Sequence, residues 1–373
     1  MIYLDNAATT QLRPEVKETM LEAMDLFGNP SSVHQYGRKA KEQILAARDV
    51  VAQFLGTTSD HILFTASGSE SDTMAIRSMI AHPNKEGKHL LTSAIEHPAV
   101  LETMKQLEQE GYEVDYVQPN EKGEILVSEV AKKIRKDTIA ASFMYVNNET
   151  GMRLSIAKLA SLFQKEGILF HVDAVQAFGL EEIQVEELGM DFLSAAGHKI
   201  NGPKGIGILY AKDDKKVVPV IRGGEQEYHK RAGTENTVSI LGLKTAVECL
   251  TKEERKALQE KYLFFQSEII QGLEKAGIEF KVNGQGDKSP HVLNLYLPKM
   301  RSDILLLRLD MKGIAISTGS ACTAGNVHPS HVLEAMYGKE ADELTHSIRL
   351  SFGYQNTKEE IDQLITALVE ILG

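Results

Sequence analysis

The chain has 373 residues, 42% of them hydrophobic and 25% charged. This is an ordinary balance for a globular protein and excludes disorder, collagen-like repeats and a small disulfide scaffold. Lys and Arg number 41 against 52 Asp and Glu, a net charge of −11, which disfavours non-specific association with nucleic acid or anionic lipid. The length allows two or three domains or one large α/β unit. Two cysteines, Cys249 and Cys322, are too few for a disulfide framework or an all-cysteine zinc site. The opening MIYLDNAATTQLRPEV lacks the apolar h-region of a signal peptide. No apolar run reaches the roughly 18 residues of a membrane span. The sequon Asn148-Glu149-Thr150 therefore has no secretory context, and the expected compartment is a reducing cytoplasm.

In chain order, the apolar run 62–65 reads as a strand and 69–80 as a helix. Residues 89–92 read as a strand and 98–110 as a helix. Strands follow at 114–117, 139–144, 168–172, 192–194 and 206–210, with a helix at 156–165 among them. This alternation predicts an α/β core with a mostly parallel sheet, covered on both faces because the strands lack a polar side. The pattern changes near residue 250. Residues 252–275 read as one long charged helix, a bridge to another domain. Strands at 279–282, 291–297, 314–317 and 347–351 then accompany helices at 302–310, 329–336 and 358–372, which suggests a smaller α+β unit. Residues 319–327, GSACTAGNV, are small and aperiodic and read as a loop. No internal repeat or low-complexity tract is present.

Several segments carry candidate chemistry. Lys199, in Gly197-His198-Lys199, follows a parallel strand, where α/β sheets place their ligand crevices. A lysine there can condense with an aldehyde if its basicity is lowered; taken alone, the segment fits a solvated loop lysine better. The nearby GPKG lacks the P-loop pattern. Asp173, at the end of HVDAVQ, can hold a pyridine nitrogen protonated or serve as a helix cap. The stretch Ser67-Gly68-Ser69-Glu70 reads equally as an anion site at a helix start or as a plain capping sequence. His97 begins a helix and could stack on a planar group, shuttle protons or simply cap. Cys322 among small residues is either a reactive thiol or a chance one. Cys249, within a helical pattern, reads as a buried small hydrophobe. Arg349 alternates with apolar residues along a strand, facing either a carboxylate ligand or a structural ion partner.

The segments YLDNAATT, NPSSVH, VNNETG, HVDAVQ, GHKINGPKGIG, Arg231-Ala232-Gly233-Thr234 and GSACTAG occur in this order nearly end to end. On them the chain resembles the class V aminotransferase-like, pyridoxal 5'-phosphate (PLP)-dependent cysteine desulfurases of the NifS/IscS type. It looks like their group with a long mobile cysteine loop rather than the group with a short RxGHHC motif.

The resemblance implies a homodimer of fold-type I. Its large PLP-binding domain would span residues 15–257, and a small domain would combine residues 1–14 with 258–373. It implies that Lys199 bonds PLP, Asp173 pairs with the pyridine nitrogen, Gln176 meets the phenolic oxygen and His97 stacks on the ring. Gly68, Ser69 and His198 would hold the phosphate, with Thr234 reaching in from the second subunit. Asn148 and Arg349, aided by Asn29, would bind the L-cysteine carboxylate. Cys322 would take the sulfur as a persulfide, release L-alanine, and pass the sulfur to an acceptor protein of iron–sulfur cluster assembly or tRNA thiolation. One departure concerns Ala196: similar sequences carry Ser or Thr there as a phosphate ligand, so PLP retention is expected to be weaker unless water or Ser194 substitutes. The rival readings are a selenocysteine lyase or another aminotransferase-like PLP enzyme, and a PLP-containing scaffold that only binds partner proteins.

Overall fold

The computed structural model describes residues 1–318 and 329–373. Its strands are β1 (Ile2–Tyr3), β2 (Ile62–Thr65), β3 (His89–Ser93), β4 (Glu113–Val117), β5 (Thr138–Met144), β6 (Leu169–Asp173), β7 (Phe192–Ala196), β8 (Gly207–Ala211), β9 (Lys281–Asn283), β10 (Val292–Tyr296), β11 (Ile314–Ala315) and β12 (Ser347–Ser351). Seven of them form one sheet in the order β2-β8-β7-β6-β5-β3-β4. The pairs from β7 to β4 are parallel, and β8 alone runs against its neighbours. Apart from the partly exposed edge strand β4, every residue of this sheet is buried, as expected for strands covered on both faces. The predicted mostly parallel α/β core is present.

Beyond the sheet, β12-β10-β9 form a three-stranded antiparallel sheet, and β1 pairs in parallel with β11. Helix Lys252–Lys275 starts on the Thr251 cap, whose side chain accepts from Glu254 N. It reaches both regions: Gln259 donates to Leu180 O at 2.6 Å, and Gln266 donates to Pro290 O at 2.8 Å. It also packs against the C-terminal helix Lys358–Leu372.

The differences from the sequence reading are local. The strand expected at 314–317 stops at Ala315 because β1 offers only two residues; Ser317 instead bridges Arg349 in the antiparallel sense. The helix expected from Pro329 begins at His331, since Ser330 is its cap and accepts from Leu333 N. The loop expected at 319–327 lies outside the described residues. Cys249 is half-buried rather than buried, because it caps the end of helix Thr237–Glu248 instead of lying inside it.

Helices α1 (Pro14–Ala23), α2 (Gln35–Leu55), α3 (Gly68–Ala81) and α4 (Pro98–Gln109) follow in chain order. α2 supplies Arg48 to the outer edge of β2. There Arg48 donates to Ile62 O at 2.6 Å and grips Glu227 with two bonds of 2.6 and 2.7 Å, while Glu227 accepts from Phe64 N at 2.9 Å. The edge strand's unpaired backbone groups are thus satisfied by side chains, which also prevents edge-to-edge association. Glu227, Tyr228 and His229 all take left-handed backbone angles, with φ of 47°, 56° and 65°. Such strain persists only where the surroundings enforce it, and the buried ion pair does so. Arg48→Ala, which leaves Glu227 buried without a partner, is expected to cost ~3–5 kcal/mol in denaturant unfolding. A cost below ~1 kcal/mol would show that the pair does not hold this edge.

Candidate active site

The sheet's topology gathers the functional side chains. Parallel strands place their carboxyl ends on one side of the sheet, where the crevice of an α/β fold forms. Here a cavity of about 740 Å³ is lined by His97, which follows β3, Asn148, which follows β5, Asp173 at the end of β6, and His198 and Lys199, which follow β7. Arg349 reaches it from β12, and Asp5, Ala7 and Ala8 reach it from the chain after β1.

One wall is the start of α3. The first N–H groups of a helix lack partners within it. Ser67 Oγ takes that of Glu70 at 3.1 Å, while Gly68 and Ser69 line the cavity. A Cβ on Gly68 would meet Val175 Cγ2 at 2.7 Å, so only glycine fits this close approach. The positive end of the helix dipole favours an anion at this wall. Ala196 also lines it. Ser194 is not available to replace the hydroxyl missing at Ala196: it is fully buried, and its Oγ lies 2.9 Å from His171 Nε2.

Asp173 is buried and accepts one backbone bond, from Val175 N at 2.9 Å. Among the described residues it forms no ion pair. Burial pushes its carboxyl above the ordinary range, opposed by His97, the Val175 N–H and Lys199. The Lys199 amine donates to Ala7 O and, at 2.9 Å, to Ala8 O. Burial, with Arg349 adding to it, lowers its pKa to about 8 against the pull of Asp173 and Asp5. His97 caps α4, its Nδ1 accepting from Ala99 N at 3.1 Å, and burial holds its imidazole below the usual pKa. Burial likewise takes His198 down to about 4.

Arg349 donates to Asn148 O at 2.9 Å and pairs with Asp5 at 2.7 Å. The structural ion pair weighed for it in the sequence therefore exists, on the rim of the same cavity. Its Nε and the Asn148 side-chain oxygen are buried with no hydrogen-bond partner among the described residues. Asn147 orients Asn148: it accepts from the N–H groups of Glu149 and Thr150 at 3.0 and 2.9 Å and donates to Ile95 O at 2.9 Å.

Gln176 also lines the cavity. Two expected site residues do not. Asn29 and Thr234 line a different cleft, together with Phe27 and Val238, where the loops before α2 and before helix Thr237–Glu248 meet. Asn29 therefore does not reach a ligand in the cavity of its own chain. Cys322 lies outside the described residues. Sequence reasoning passed over Asp5, Asp72 and His331, all on the cavity wall. Asp5 stands inside the YLDNAATT segment, the one signal that could have drawn attention to it.

The chain matches the aminotransferase class-V family model over residues 2–364. It is 46% identical over 362 residues to a putative cysteine desulfurase IscS 1 of Bacillus subtilis, covering 96% of this chain and 95% of the relative. It is 40% identical to a cysteine desulfurase IscS of Dictyoglomus turgidum, covering 100% of this chain and 94% of that one. A solved NifS-like protein superposes with a TM-score of 0.92 at 33% identity, covering 100% of this chain and 99% of the other. The chain belongs to the class-V aminotransferase family. Its similarity to the NifS-like and IscS members extends over its whole length.

The lowered basicity of Lys199 can be read directly. In competitive labelling of the PLP-free protein with acetic anhydride followed by peptide mass spectrometry, Lys199 reactivity is expected to rise with a midpoint at about pH 8, while exposed lysines have theirs at about 10.4. A Lys199 midpoint that coincides with the surface lysines would contradict the burial argument.

Proposed function

We propose that this protein is a PLP-dependent cysteine desulfurase that converts L-cysteine to L-alanine and a persulfide on Cys322. The observation that carries the reading is the pairing, in one cavity, of a lysine of lowered basicity with a buried carboxyl that has no ion partner among the described residues. The donor set fits PLP. The open N–H groups of Gly68 and Ser69, with His198, suit a phosphate, and the Asp173 carboxyl suits a protonated ring nitrogen. Gln176 suits the phenolic oxygen and His97 the ring face. The hydroxyl missing at Ala196, with Ser194 committed to His171, makes phosphate retention weaker than in relatives that have one. When bound, PLP supplies an electron sink for charge developing at the substrate Cα.

The chain's own groups do the rest. A Lys199 amine whose pKa is lowered to about 8 is more available as a nucleophile near neutral pH than an ordinary lysine and can move the Cα proton. Arg349 and Asn148 hold the substrate carboxylate through charge-assisted bonds. Cys322, as thiolate, attacks the substrate sulfur. An S–S bond forms, the C–S bond breaks with its electron pair staying on the carbon skeleton, and protonation there gives alanine. A reducing cytoplasm suits such a thiol.

A homodimer would bring Thr234, and with it Asn29, to the partner's cavity. The exposed Met24 and Phe27, which line the same cleft as Asn29 and Thr234, and Tyr36 in ring contact with Phe27 support this, since isolated apolar exposure is ordinary but adjoining large apolar side chains mark an interface. The persulfide would pass to an acceptor protein of iron–sulfur assembly or tRNA thiolation. The net charge of −11 favours a protein acceptor over direct RNA binding.

The test compares wild type with Cys322→Ala, reading the visible band of bound PLP and then alanine and sulfide from L-cysteine with a reductant. Both proteins should be yellow, and only wild type should turn over. Equal alanine and sulfide release by the variant would exclude Cys322 as the acceptor and favour a lyase.

A further inference from the structure

Gln176 is held by a chain of buried groups that the reading above leaves unused. Its Nε2 donates to Ala7 O at 2.9 Å. A carbonyl can only accept, so the amide's oxygen must turn the other way. There Gln176 Oε1 lies 3.0 Å from Nε2 of His291, the residue just before β10. His291 Nδ1 lies 3.0 Å from Ser289 Oγ, which donates to Glu181 Oε1 at 2.8 Å. Glu181 is anchored in turn by Arg153 at 3.0 Å. Gln176, Glu181, Ser289 and His291 are all buried.

Hydrogen-bond bookkeeping fixes the ring's proton. Burial, with Lys199, Arg349 and Arg153 all opposing a further positive charge, takes His291 down to about 3, so the ring is neutral and carries one N–H. Gln176 Oε1 can only accept, whereas Ser289 Oγ, a hydroxyl, can accept as well as donate. The N–H therefore belongs on Nε2, facing the Gln176 oxygen that the Ala7 carbonyl turns toward it. Placing the proton on Nδ1 instead would set two lone pairs against each other at 3.0 Å.

We infer that His291, whose Nε2 faces the Gln176 amide oxygen, is a positioning residue that fixes the Gln176 amide with its N–H end toward the cavity. Gln176 then presents a donor to a ligand there, and reversing the amide would present an acceptor. The inference rests on the PLP reading, in which that ligand atom is the cofactor's phenolic oxygen. A donor aimed at this oxygen stabilises its anionic form, and an acceptor destabilises it. His291 touches neither substrate nor cofactor and acts only through Gln176.

The experiment is a pH titration of the visible absorption band of the PLP-loaded protein, for wild type, His291→Leu and His291→Gln. In His291→Leu the amide loses its orienting donor. The phenolic oxygen then holds its proton more tightly, and the midpoint is expected to move up by about one pH unit. His291→Gln retains an N–H donor and should restore the wild-type midpoint, which a purely structural role for the ring would not produce. If His291→Leu does not fold, His291→Phe, a flat ring without a donor, reads the same contact, and its midpoint should move in the same direction. A folded His291→Leu or His291→Phe with the wild-type midpoint would overturn the inference while leaving the PLP reading intact. A wild-type protein that shows no visible band with PLP would overturn both.

Discussion

The site is organised around the burial of one carboxyl. Asp173 ends β6 at the floor of the cavity with a single backbone donor and no ion pair among the described residues. A carboxylate in that position is costly unless a cation completes it. The sheet brings candidate cations near it but not onto it. His97 and Lys199 both favour its charged form, yet burial lowers the basicity of each. Two other buried acids, Asp72 and Glu96, lie close enough that each is disfavoured by Asp173, and both are pushed well above the ordinary carboxyl range. Like charges gathered in one apolar site do not all ionise. Burial above all, with Asp173 adding to it, disfavours the charged forms of Asp72 and Glu96, and Asp173 is the carboxyl placed to gain from a protonated partner.

The segment after β1 ties this floor to the opposite rim. Ile2 and Tyr3 pair with β11, and Ser351 N donates to Leu4 O at 2.7 Å. Asp5 pairs with Arg349. Two residues later the Ala7 carbonyl receives both the Lys199 amine and the Gln176 amide. Thr10 N then donates to His198 O at 2.9 Å. The group proposed for the substrate carboxylate and the lysine proposed for the chemistry are therefore spaced by a short, hydrogen-bonded piece of chain. Chemistry that depends on positioning needs that constancy, because small misplacements of reacting groups are expensive in rate.

How much of this is legible in the sequence follows from which interactions are local. Apart from the edge strand β4, the strands from Ile62 to Ala211 are readable because each is a short apolar run between turn residues, and the sheet buries them as that pattern requires. Lys199, Asp173 and His97 are readable as strand-end residues, and their meeting in one cavity follows from parallel strand order. Other features depend on partners far away in the chain. Arg349 shows its ion pair only once Asp5 is brought beside it. Ser194 reads as a spare hydroxyl until His171 claims it. Asn29 and Thr234 read as site residues, but the packing around α1 places them together in another cleft. His291 carries no motif, and its role is visible only through Gln176.

The most direct test of the account concerns the partner of Asp173. Nitrogen NMR of the protein loaded with PLP carrying a labelled ring nitrogen would report that atom's protonation at neutral pH. A protonated ring nitrogen, lost on Asp173→Asn, is the predicted result. A neutral ring nitrogen in the wild-type protein would contradict the claim that this buried carboxyl is there to hold a cationic ring.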